Sequence, residues 1–83
     1  MTAKTNPKRV FRIRHRADGR FETRNEHPTD SALGVDYSLP QAIGTATREA
    51  TLASRAGCQV VIKAQQPNGT WKITDVIMPP GRR

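Results

Sequence analysis

Between Val10 and Arg16 the chain alternates strictly: Phe11, Ile13 and His15 fall on one side of an extended backbone, and Arg12, Arg14 and Arg16 on the other. A period of two marks a strand with one covered face and one wet face. The segment 20–24 repeats the pattern, with Phe21 and Thr23 set against Arg20, Glu22 and Arg24. The two apolar sets share a side only if the loop between the strands has an odd number of residues. That requirement predicts a three-residue loop, Ala17-Asp18-Gly19, with Gly19 left-handed in a bulge. In this register His15 faces Phe21, Ile13 faces Thr23, Arg14 faces Glu22, Arg12 faces Arg24 and Arg16 faces Arg20.

The stretch "NEHPTDSALGVDY" shows no period and several turn formers, and it reads as a long loop. A helix is predicted to follow. Ser38 supplies the N-cap, Gln41 completes a capping box, Pro40 fits the first turn, and Tyr37 is placed to staple onto Ala42. Asp36 suits the positive end of the helix dipole. Arg55 lies in the last turn, and Gly57 forms the left-handed cap. On a helical projection Leu39, Ala42, Ile43, Ala46, Ala50 and Ala53 make one stripe, and Leu52 faces away from it. An alanine-rich stripe lets a helix lie close against a sheet.

The last segment, "CQVVIKAQQPNGTWKITDVIM", reads as a second hairpin. Cys58, Val60, Ile62 and Ala64 share one face, as do Trp71 and Ile73, and the two sets meet across an even-numbered loop. Pro67 is incompatible with a two-residue type I′ turn, so the expected loop is Gln66-Pro67-Asn68-Gly69 on a type I turn. Trp71 would then face Ala64, Ile73 would face Ile62, and Lys63 would face Lys72 on the wet side. The expected architecture is a two-layer α+β domain, ββαββ, with a four-stranded antiparallel sheet and one helix on one face. The strand order 2-1-3-4 is preferred to 1-2-4-3.

At 83 residues the chain has room for one small domain with a thin core. The expected organisation is a flexible basic tail over 1–9, the domain over 10–78 and a second flexible tail over 79–83. Sharing a face in a homodimer would be an economical source of further stability. Cys58 is the lone cysteine, which excludes an internal disulfide, and no apolar stretch is long enough for a signal peptide or a membrane span. A cytoplasmic protein without membrane contact is the expectation.

Net charge is +7 with a pI near 10.8. Such a balance favours acidic partners, nucleic acid first and an acidic protein after it. By parity the uncovered sheet face would carry Arg12, Arg14, Arg16, Arg20, Arg24, Lys63 and Lys72 against the single carboxylate of Glu22. Cations at alternate positions along an open sheet can track phosphates. The structural alternative is that any sheet open to water needs polar side chains there. Phe11, Phe21 and Trp71 are all expected on the helix side, which leaves the face without an aromatic on which a base could stack.

Catalysis finds less support. His15 is expected beside Phe21 as a packed residue, and Cys58 as a buried thiol with no base. His27 lies near Glu26, Asp30 and Asp36, but no fixed spacing orients two ligands, and the cluster reads as a polar loop. No catalytic residue, metal site or cofactor is expected. The preferred reading is a non-enzymatic binding module that contacts nucleic acid or another polyanion. The alternative is a protein-interaction or homodimerising domain that uses the sheet edge, Leu52, Val61, Val76 and the "VIMPP" segment.

Asp18-Gly19, Ala42 with Ala46 and Ala50, Gly57, "QVVIK" and Asn68-Gly69 together resemble the layout of a family of small uncharacterised bacterial and phage-associated proteins, a domain of unknown function. The likeness covers roughly 9–75. It implies the strand-strand-helix-strand-strand fold and no particular activity.

Overall fold

The computed structural model describes residues 8–27 and 30–79. β1 (Lys8–His15) and β2 (Phe21–His27) form the first hairpin. Arg16 N donates to Arg20 O at 2.7 Å and Gly19 N to Arg16 O at 3.0 Å, while Gly19 has φ 88°. This is the three-residue bulged loop required by the alternation. The pairs His15–Phe21, Arg14–Glu22, Ile13–Thr23 and Arg12–Arg24 form as expected.

The segment read as a loop contains another strand, β3 (Ser31–Asp36), antiparallel to β2. Its pattern is illegible because a bulge between Thr23 and Arg24 shifts the pairing. Val35 pairs with Glu22 on the wet side, whereas Leu33 packs against the core. Two apolar residues separated by one position thus serve opposite faces.

This additional strand corrects the expected topology. The sheet has five strands in the order β3-β2-β1-β4-β5, with β4 (Gln59–Gln65) and β5 (Trp71–Ile77), and it is mixed rather than antiparallel. Each element reverses the chain, so one more strand before the helix reverses the direction of everything after it. β4 therefore runs parallel to β1, with Phe11 beside Ile62 and Arg12 beside Lys63. The preferred neighbour order survives, with β1 and β4 at the centre. Of the expected N-terminal tail, Lys8 and Arg9 belong to β1; residues 1–7 and 80–83 lie outside the described residues.

α1 (Leu39–Arg55) is bounded as its capping residues require. Gln41 N donates to Ser38 Oγ at 3.3 Å, and Gln41 Oε1 accepts from Tyr37 N at 3.1 Å. At the other end Gly57 N donates to Ser54 O and Cys58 N to Ala53 O, a Schellman closure with Gly57 at φ 101°. The expected staple of Tyr37 on Ala42 does not form. Tyr37 is 74% exposed, and the Arg20 guanidinium lies over its ring at 5.0 Å.

Ala42, Ala46 and Ala50 meet Phe11, Ile13, Val60, Ile62 and Ala64 in the core, with Leu39, Ile43, Ala53, Phe21 and Ile77 around it. The small helix face allows close approach. Thr45 Oγ1 donates to Asp36 Oδ2 at 2.9 Å, and a Cβ on Gly34 would stand 3.2 Å from Thr45 Cγ2.

The second hairpin departs from expectation. Gln66 N donates to Thr70 O at 2.7 Å and Gly69 N to Gln66 O at 2.8 Å, with Gly69 at φ 90°. The loop between this closing pair is Pro67-Asn68-Gly69, the same bulged form as the first. It therefore has odd length, and every parity in the first half of β5 is reversed. Trp71 pairs with Gln65, Lys72 with Ala64 and Ile73 with Lys63. A bulge between Ile62 and Lys63 then shifts the pairing, so that Asp75 meets Ile62, Val76 meets Val61 and Ile77 meets Val60. Ile77 thereby returns to the core.

Two stability measurements check this account. Alanine at Gly69 would force a Cβ into the left-handed region, so Gly69→Ala is expected to destabilise by roughly 1–2 kcal/mol in denaturant melts. Thr23 is fully buried with a hydroxyl that has no hydrogen-bond partner among the described residues. Thr23→Val is therefore expected to raise stability by about 1 kcal/mol, which for a domain of this size is a melting shift of about 4–8 °C. A lower melting temperature would show that the hydroxyl is satisfied.

Candidate functional site

The helix covers one side of the sheet, and alternation sends the remaining side chains to the other. β1 contributes Arg12 and Arg14, β2 contributes Glu22, Arg24 and Glu26, and β4 contributes Val61, Lys63 and Gln65. β5 adds Trp71, Ile73 and Val76, which pair in turn with Gln65, Lys63 and Val61. One row across the face runs Arg24, Arg12, Lys63, Ile73 in adjacent strands. Three cations side by side repel, each like-charge cross-strand pair costing of order 0.2–1 kcal/mol.

Carboxylates at the ends of β2 and just beyond it relieve that repulsion. Arg12 Nη2 lies 2.5 Å from Glu26 Oε2. Arg24 bridges two acids, donating from Nε to Asp30 Oδ1 at 2.8 Å and from Nη1 to Glu22 Oε2 at 3.1 Å. Arg16 pairs with Asp18 at 3.1 Å. Arg12, Arg14 and Arg24 thus line a shallow depression together with Glu22, Glu26 and Asp30. The expectation of one carboxylate on this face is corrected: bulged and loop positions, whose direction alternation does not specify, bring in the others.

The remaining expected site residues sort by register. Lys63 lies on the face beside Arg12. Arg16 and Arg20 stand at the hairpin tip, where Arg20 leans over Tyr37. Lys72 pairs with Ala64 and points to the helix side, so it leaves the proposed wall. Trp71 replaces it. The Arg12 guanidinium lies over the Trp71 ring at 4.4 Å, a cation–π contact in the middle of the uncovered surface. Beside it Ile73 is 55% and Val76 43% exposed, while Val61, between Val10 and Val76 in register, is buried with no second layer above it among the described residues. The face has an ionic half on β1–β2 and an apolar half on β4–β5.

One sequence signal could have placed Trp71 outward. "RADGR" and "QPNGT" have the same layout, with Asp or Asn two residues after the closing position and Gly next. Asp18 Oδ1 accepts from Arg20 N, and Asn68 Oδ1 accepts from Thr70 N, both at 3.0 Å. Matching loops imply matching lengths.

The residues around His27 do not converge. Glu26 and Asp30 serve arginines of the open face, and Asp36 accepts from Thr45 on the helix side. His15 is exposed and stacks on Phe21, with ring centroids 4.5 Å apart. Cys58 is buried and accepts from Arg9 Nε at 3.4 Å. Among the described residues no group of three or more His, Cys, Asp or Glu side chains is placed to hold a metal ion, and no helix is long and apolar enough to cross a membrane. Set against protein-family models, curated proteins and solved structures, the chain matches none.

The hydrogen bond from Arg24 holds the Asp30 carboxyl below its ordinary value, and the Arg20 N–H does the same for Asp18. Because the folded values are depressed, any stability these groups contribute is present above the ordinary aspartate value of about 3.9 and fades as pH falls through the lowered ones. Carboxyl NMR titration is expected to find both below that value. Arg24→Gln should raise the midpoint of Asp30 and leave that of Asp18 in place; an unmoved Asp30 would rule out this pairing.

Proposed function

We propose that the chain is a non-enzymatic binding module whose ligand, single-stranded nucleic acid, lies across the uncovered face of the sheet. The observation that carries this reading is Trp71, half-buried on that face beneath Arg12 and close in register to Lys63. Single-strand binders combine such a stacking surface with cations that follow the backbone, and each stacked base contributes about 1–3 kcal/mol. Here the indole and the Arg12 plane supply the stacking surface. Arg14 and Lys63, which have no ion-pair partner among the described residues, supply phosphate contacts. Arg12, Arg16 and Arg24 already hold carboxylates, so an incoming phosphate must displace a carboxylate to reach them.

This predicts an unusual combination: tryptophan-dependent binding with a shallow response to salt. Two phosphate contacts on a single strand give a log–log slope of about 1.4. The measurement is Trp71 fluorescence during titration with a thymidine oligonucleotide at several salt concentrations. Trp71→Ala is expected to weaken binding by at least about tenfold, and Lys63→Ala to lower the slope by about 0.7. Unchanged fluorescence at low salt would end the reading.

The exposed apolar half of the same face supports a second reading, a protein-interaction or self-associating surface. Trp and Arg are enriched at the centres of such interfaces, and Ile73, Val76 and Val61 would form the apolar part. Sedimentation separates the two readings. A dimer that is lost in Ile73→Asp and indifferent to oligonucleotide favours the second, and a monomer whose fluorescence responds to oligonucleotide favours the first.

A further inference from the structure

The opposite side of the sheet carries a separate feature. Between the ends of β1, β2 and β3 and the C-terminal half of α1 lies a cavity of about 290 Å³, lined by Arg9, Phe11, Asn25, Ser31, Leu33, Glu49, Leu52 and Ala53. Asn25 is 5% exposed, and its side-chain carbonyl Oδ1 has no hydrogen-bond partner among the described residues. A buried acceptor left empty costs free energy, and in a native fold it calls for an explanation such as a ligand.

The other lining groups narrow the ligand. Phe11 is buried at the cavity, and Leu33, Leu52 and Ala53 make further apolar walls. Leu52, whose exposure looked incidental in the helical projection, is one of them. Arg9 brings a cation and Glu49 a carboxylate, and neither has an ion-pair partner among the described residues. The volume lies just below the usual range for small-molecule pockets, about 300–1,000 Å³, which favours a small ligand. We infer that this cavity binds a free apolar α-amino acid. Its ammonium group donates to Asn25 Oδ1 and pairs with Glu49, its carboxylate meets Arg9, and its side chain lies against Phe11, Leu33 and Leu52. The site is on the helix side of the sheet and does not rest on the nucleic-acid reading.

The test uses the full chain and three probes that share one isobutyl group: L-leucine, isoamylamine, which lacks the carboxylate, and 4-methylpentanoate, which lacks the ammonium. Backbone NMR shifts on titration with leucine are expected at Phe11, Asn25, Leu33, Glu49 and Leu52, and each truncated probe should bind at least about tenfold more weakly. Glu49→Gln, on the partly exposed helix surface, should weaken leucine about tenfold or more and leave 4-methylpentanoate unaffected. Asn25→Leu should abolish the leucine shifts in a protein that still melts cooperatively. The inference is overturned if leucine moves none of these resonances, if the truncated probes bind as well as leucine, or if Glu49→Gln binds leucine as the native chain does. Should Asn25→Leu fail to fold, the Glu49→Gln and truncated-probe results decide.

Discussion

A glycine in left-handed conformation at the third position of the β1–β2 and β4–β5 loops determines which face of the sheet the following strand presents to the helix. Gly19 and Gly69, at φ 88° and 90°, close loops of the same odd length. In a sheet whose side chains alternate, one residue more or less in a loop inverts the entire strand that follows. In the first hairpin that parity agrees with hydrophobic burial, bringing Phe11, Ile13 and Thr23 together under α1. In the second it opposes burial and leaves Trp71 and Ile73 on the uncovered side. The bulge in β5 restores the core only for Ile77.

Among the described residues one helix covers one side of a five-stranded sheet. The alanine stripe of α1 brings helix and sheet close, so the core is thin, and at its edge Gly34 lies close to Thr45. The uncovered side must then be stable in water by itself. It achieves this unevenly, through arginine–carboxylate pairs on β1 and β2 and through shielding of Val61 by Val10 on β1 and Val76 on β5. Exposed ion pairs of this kind contribute little to stability. Their main effect is to set which charges remain available for a ligand.

That division shapes both functional readings. A net charge of +7 suggests a strongly cationic surface, yet Asp18, Glu22, Glu26 and Asp30 pair with its arginines. On the proposed reading, recognition at this face rests on the indole, the Arg12 plane and the cations Arg14 and Lys63, which have no ion-pair partner among the described residues, more than on bulk electrostatics. On the other side of the sheet, the Asn25 side-chain carbonyl has no hydrogen-bond partner among the described residues and lies beside an open cavity. The two features lie on opposite faces and have different chemistry.

Much of the fold was legible in local patterns. The first hairpin's register, both ends of α1 and its buried stripe follow from alternation, capping residues and helical spacing, because each depends on neighbours a few positions apart. The positions of Arg12, Arg14, Arg24 and Lys63 on the open face follow in the same way. What alternation alone could not supply was β3, whose bulge sends Leu33 and Val35 to opposite faces, and hence the parallel pairing of β1 with β4. Nor could it supply the outward turn of Trp71, where loop geometry outweighed apolar burial, or the carboxylate partners of the arginines. Those depend on bulges and long-range strand pairing, in which a shift of one residue reverses a face, and only the assembled sheet determines where such shifts occur.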